Sequence, residues 1–167
     1  MRIFNTVLLL LATLVSTVSF SQVSPNFQTL ADSFNVDNPN AVQAINIPYD
    51  DIDPSRQLFH IFLPNTKDTF PLVIFFHGGG FTDGNPGTVF KDPDRRETVK
   101  YFIDNGIAFI SVGYRLIAKD EPDPDGVIKC LSDAKRGLQF IRHNAEDLHI
   151  DPKNPKRVYV MATGYYK

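Results

Sequence analysis

From residue 41 onward, short apolar runs alternate with one-sided helical stripes. Ala41–Tyr49 alternates apolar with polar residues and predicts a first strand ending near Pro48. Asp50-Asp51-Ile52-Asp53-Pro54 reads as a solvated turn. Arg56–Leu63 predicts a second strand, apolar on both sides and therefore covered on both faces. The run Leu72-Val73-Ile74-Phe75-Phe76 predicts a fully buried strand that breaks at His77. An irregular loop follows through Asn85-Pro86-Gly87 and Asp92-Pro93. A helix is expected from about Asp94, capped by Asp92 or Asp94, with Val99, Phe102 and Ile103 inward and Gly106 as its stop. Ile107–Val112 is the next strand. Val127, Cys130, Leu131, Ala134, Leu138, Ile141, Ala145 and Leu148 keep three-and-four spacing and predict a long helix, about six turns, with Asp125 as its cap. Arg157–Ala162 is the last strand. Strands alternating with helices predict an α/β fold: a mostly parallel sheet flanked by helices, with Leu72–His77, Ile107–Val112 and Arg157–Met161 as central strands.

The stretch His77-Gly78-Gly79-Gly80-Phe81-Thr82-Asp83-Gly84 carries the candidate chemistry. Three successive glycines allow backbone angles that a Cβ forbids and leave their N–H groups uncovered. Bare amides at the end of a buried strand suit an anion that forms during a reaction, above all the oxyanion of acyl transfer. The glycines by themselves also fit a plain turn, since strand ends collect glycine.

Composition narrows the classes. The 167 residues include 17 Lys+Arg and 19 Asp+Glu, for a net charge of -2, which suggests neither nucleic acid nor an anionic membrane as a partner. A hydrophobic content of 43% suits a globular core. Met1-Arg2, the apolar run from Val7 to Phe20 and the small residues around Ser21 have the three parts of a secretory signal. The alternative, an anchor helix, is interrupted by Thr13, Ser16, Thr17 and Ser19 and is short for a span. Residues 1–21 are therefore expected to be removed near Ser21 and the protein exported without a stable membrane anchor. Residues 22–40 read as a linker or N-terminal arm, and residues 41–167 as the domain.

The lone Cys130 forms no internal disulfide and reads as a buried, inert thiol. His60 reads as a hydrogen-bonded structural residue, and His143 and His149 as surface residues. Glu121, Asp123, Asp125 and Gly126 loosely match the opening of a calcium loop, but its twelfth position would be Ser132, where a bidentate Glu is needed. No metal site is expected.

His77-Gly78-Gly79-Gly80-Phe81, then Gly113-Tyr114-Arg115-Leu116, a long helix, His143-Asn144-Ala145-Glu146-Asp147 and an apolar strand resemble, in that order, the α/β-hydrolase carboxylesterases and lipases of the HGGG type. The resemblance covers roughly residues 41–164. It implies that Gly79 and Gly80 donate the oxyanion-hole amides and that His77, Gly78 and Phe81 support the loop. It also implies a small-molecule ester substrate, Ser-His-Asp acyl transfer and no cofactor.

In that family the last strand runs into Gly-x-Ser-x-Gly, and the acid and base follow. Laid on Ala162-Thr163-Gly164-Tyr165-Tyr166-Lys167, the motif puts the nucleophile at Gly164 or Tyr166. Ser111, inside a strand, and Ser132, on a helix, lack an evident base and do not substitute. The expectation is an N-terminal part, truncated before its C-terminal half, inactive alone, with its last strand's edge open to self-association. The competing reading is a non-catalytic exported module that binds a ligand or partner in the glycine-loop cleft.

Overall fold

The structure is a computed structural model that describes residues 41–65, 69–119, 124–150 and 158–162. The expected signal segment, the arm, residues 120–123 of the acidic loop and the chain after Ala162 lie outside the described residues. Five strands form one sheet: β1 (Ala41–Pro48), β2 (Leu58–Pro64), β3 (Leu72–Phe76), β4 (Ala108–Val112) and β5 (Val158–Ala162). The spatial order is β1-β2-β4-β3-β5. The expected central strands β4, β3 and β5 are mutually parallel, while β1 and β2 join on one side as antiparallel partners. β1 ends the sheet on that side, and its register shifts between Ala44 and Ile47, where Asn46 sits at φ 55°. Such a bulge bends an edge strand away from further pairing.

Both faces of the sheet are covered, as the two-sided apolar strands require. On one face Phe59, Ile61, Ile74, Ile110 and Val112 pack with Ile141 and Leu148. On the other, Phe62, Val73, Phe75 and Phe109 pack with Val89, Phe90, Val99 and Ile103. The helix α1 (Pro93–Asp104) supplies Val99 and Ile103 to this second layer. Asp92 caps it by accepting from the Asp94 amide at 3.0 Å, and Gly106, at φ 71°, follows its end. His60 is buried and accepts from the Asn46 amide through Nδ1 at 3.0 Å, a structural role as expected.

Three expectations are corrected. The loop after Gly84 contains a 3-10 turn, Pro86–Phe90, which buries Val89 and Phe90. Asn85 and Thr88 form a reciprocal capping box that starts it. The helix α2 (Gly126–His143) ends five residues before Leu148, and turns carry the chain on to Ile150. Its inward face is also rotated from the expected stripe. Val127 and Leu131 are exposed, whereas Cys130, Asp133, Gly137 and Ile141 are buried. The helix turns its polar Asp133 inward because an ion pair receives it there. Gly137 lets it approach the sheet closely: a Cβ at that position would lie 3.0 Å from Val112 Cγ1. At the helix start Asp125 holds the cap position but contributes only its carbonyl, which accepts from the Lys129 amide at 2.8 Å.

Phe62 is fully buried and sits 4.8 Å, centroid to centroid, from Phe90. Phe62→Ala is expected to lower unfolding stability by about 3–5 kcal/mol, read as a fall in the urea midpoint at unchanged slope.

Candidate active site

The three parallel strands end level with one another. Phe76 pairs with Val112 of β4 on one side and Ala162 of β5 on the other. In open α/β sheets, ligands bind beyond these carboxyl ends. The chain leaves β3 there and enters the glycine loop.

The loop is a tight, internally bonded turn. Gly79 stands at φ 125°, Gly80 at 61°, Phe81 at 65° and Gly84 at 100°. The Gly79 carbonyl accepts from the amides of Thr82 and Asp83, each at 3.1 Å. A Cβ on Gly79 would fall 2.0 Å from the Asp83 carbonyl oxygen, so the turn cannot close around any larger residue. At Gly80 a Cβ would meet nothing within 4 Å, and only the left-handed backbone favours glycine. Phe81 tolerates that conformation because the Ile117 amide donates to its carbonyl at 2.8 Å. Among the described residues, none accepts a hydrogen bond from the amides of Gly79 or Gly80.

His77 and Tyr114 brace the base of this loop. Their rings stack at 4.3 Å with an interplanar angle of 8°. Tyr114 donates its hydroxyl proton to the His77 carbonyl at 2.6 Å, and burial pushes its phenol up to about 12. His77 Nδ1 lies 2.9 Å from the Gly78 carbonyl, the geometry of a neutral ring donating through Nδ1–H. Burial, helped by the nearby Arg56 cation, holds the imidazole below its usual range. The bare Gly84 closes against the same ring, since a Cβ there would lie 2.5 Å from Nδ1.

Tyr114 is itself held from behind. The next residue, Arg115, donates Nε and its backbone amide to Asp133 Oδ2 at 2.8 and 2.9 Å, and Nη2 to Oδ1 at 2.7 Å. Gln57 Nε2 adds a fourth donor to Oδ1 at 2.8 Å. Burial alone would push the Asp133 carboxyl up, but the hydrogen bonds and charge of Arg115, aided by Gln57, hold it below the usual carboxylate range. Beside this network, Tyr49 donates to the Gly113 carbonyl at 2.7 Å. Cys130 donates Sγ–H to the Arg115 carbonyl at 2.9 Å, and burial pushes its thiol up, the state of an inert thiol.

An open cleft of about 350 Å3 runs along the outer side of the loop. Gly78, Gly79 and Gly84 form one wall, and Thr88, Lys91 and Arg95 the other. Of the residues assigned from sequence, Gly78, Gly79, Gly80, Phe81 and His77 therefore gather in one turn. Ser111 is buried in β4 and donates to the Pro86 carbonyl at 2.7 Å, while Ser132 is exposed on α2. Sequence reasoning passed over Asp133, Gln57, Lys91 and Arg95. The spacing of Asp133 from Cys130, three residues on one helix face, was the available signal for the first; for the cations none exists.

The strand order and motif order define an α/β-hydrolase sheet of the carboxylesterase type. The BD-FAE family model matches residues 59–163, and the chain belongs to that family. Carboxylesterase NlhH of Mycobacterium tuberculosis is 33% identical over 89 residues, which are 53% of this chain and 25% of that protein. Esterase B1 of Culex pipiens is 27% identical over 95 residues, covering 53% of this chain and 16% of that protein. Among solved structures, esterase B from Lactobacillus rhamnosis superposes with a TM-score of 0.56 at 22% identity, over 76% of this chain and 37% of that one. The thermophilic esterase Est2 of the planctomycete Thermogutta terrifontis gives 0.53 at 22% identity, over 74% and 40%. The chain thus spans a quarter or less of the curated relatives it matches.

Removing the Asp133 carboxylate strands Arg115 and Gln57. Asp133→Ala is expected to cost about 3–5 kcal/mol, measured by denaturant unfolding. The depressed carboxyl also fixes a pH dependence. Its contribution is present above the unfolded carboxyl pKa of about 3.9 and is lost as pH falls through the lower folded value. The variant should lack that acid-side loss. Tyr114→Phe keeps the ring but removes a donor from the buried His77 carbonyl, at about 1–3 kcal/mol. Faster hydrogen exchange at the Thr82 and Asp83 amides is the expected readout.

Proposed function

We propose that this chain is the oxyanion-binding, N-terminal part of an exported carboxylic-ester hydrolase that works by Ser-His-Asp acyl transfer. The observation that carries the reading is the pair of uncommitted amides at Gly79 and Gly80, on a braced turn beside the carboxyl ends of β3 and β5. A serine on the turn after β5 would attack the ester carbonyl. The carbonyl oxygen would gain negative charge and move onto the two amides, which stabilise the transition state more than the substrate. The serine proton would pass to a histidine and then to the leaving alcohol, and water would repeat the sequence on the acyl-enzyme. This chemistry needs no cofactor.

His77 supports the loop in this reading and is not the base: it is buried, and Nδ1 is spent on the Gly78 carbonyl. The apolar, small-residue N-terminus supports export. No described helix is long and apolar enough to cross a membrane.

Residues 162–167 place no serine in the nucleophile position, so the 167-residue chain alone is expected to hydrolyse 4-nitrophenyl acetate no faster than a boiled control. A longer protein carrying this segment plus the serine turn, acid and base should turn it over. There Gly79→Ala, which forces the turn open, should lower kcat by about 10²-fold or more. Saturable turnover by the 167-residue chain, or an unchanged kcat in that variant, would refute the assignment.

A further inference from the structure

We propose that the cleft beside the glycine loop is a subsite for a carboxylate carried by the ester substrate. What the neighbouring loop does rests on the esterase reading; what the cleft binds rests on its own charges. Lys91 follows the 3-10 turn and Arg95 stands in the first turn of α1, both on the cleft wall facing Gly78 and Gly79. Arg56 adds a third cation at the lip, donating Nη1 to the Gly84 carbonyl at 3.2 Å.

The opposing charges are weakly available. Asp83 lines the cleft, but its Oδ1 accepts the Gly84 amide at 2.7 Å. Arg95 Nε reaches Asp92 Oδ2 only at 3.5 Å, with both side chains partly exposed. Lys91 has no ion-pair partner among the described residues. The neutral groups are committed to the turn: Asn85 Oδ1 accepts from the Gly87 amide, and Thr88 Oγ1 from the Asn85 amide. Lys91 and Arg95 against Asp83 leave one positive charge in the cleft, which matches a single carboxylate better than a doubly charged phosphate. The cleft shares Gly78 and Gly79 with the loop, so an ester seated on the amides would extend its substituent between the cations. A volume of about 350 Å3 accommodates a small dicarboxylic half-ester.

Exposed pairs of this kind shift an equilibrium by a factor of about 1.5–5 each. Titrating the 15N-labelled chain at low salt with monomethyl succinate and with its neutral counterpart methyl levulinate reads the preference directly. Acetoxyacetate, with the carboxylate on the alcohol side, separates the two ways the substrate could carry it. At least one of the two anions should bind about five-fold tighter than methyl levulinate, shifting the amides of Gly78, Gly79 and Lys91. The preference should vanish in Lys91→Gln/Arg95→Gln and shrink in 0.5 M salt. Lys91→Gln alone, which leaves the Asp92 contact intact, should lose part of it.

Equal affinity for charged and neutral esters, a preference that survives the double variant, or tighter binding of inorganic phosphate would overturn the proposal. The esterase reading fails separately. Carboxylate binding here with no hydrolysis by the longer protein would keep the subsite and discard the reaction, and unselective hydrolysis would do the reverse.

Discussion

A single buried carboxylate ties the parts of this fold together. Asp133, on α2, takes four hydrogen bonds from Arg115 and Gln57. Gln57 immediately precedes β2, and Arg115 lies just past the end of β4. One side chain therefore joins a helix to the ends of two neighbouring strands. A carboxylate without solvent is unfavourable in isolation, and it is tolerable here only because every partner is in place. That all-or-none requirement fixes the helix's rotation about its axis. It also fixes the path of the backbone from Gly113 to Arg115, and with it the ring of Tyr114 that lies on His77.

The glycine loop depends on this from a distance. It has little apolar contact of its own, and its backbone angles are unfavourable for most residues. What holds it is a sequence of supports: Asp133 holds Arg115, the adjacent Tyr114 stacks on His77 and bonds its carbonyl, and Ile117 bonds Phe81. The two amides that carry the proposed chemistry are thus rigid without being used up. Preorganised donors of this kind stabilise developing charge without having to reorganise when it appears.

Much of this was legible in the sequence, and the exceptions share a cause. Leu72–Phe76 announces a strand by composition alone, and His77-Gly78-Gly79-Gly80 announces its own turn. Val99 and Ile103 lie where their spacing puts them. The stripe of α2 was misjudged by a small rotation, because counting apolar residues passes over Asp133 and Gly137. Burial of the first depends on a cation far along the chain, and of the second on how closely the helix meets Val112. Neither dependence is local. The 3-10 turn was hidden for another reason: Pro86 and Gly87 look like loop residues, and only the capping pair Asn85 and Thr88 marks the turn. The clustering of Lys91 and Arg95 beside the loop is likewise a product of the fold.

The strand order has a consequence for how the molecule comes into being. β2 and β3 are consecutive in the chain but do not touch, because β4 lies between them. A ribosome therefore delivers the histidine and its glycines well before the strand and tyrosine that give them a shape. At about 5–20 residues per second, the wait from His77 to Tyr114 is on the order of seconds. During that interval the most apolar strand has no neighbour to pair with, and whatever shields it then is as much a condition for the finished loop as any bond within it.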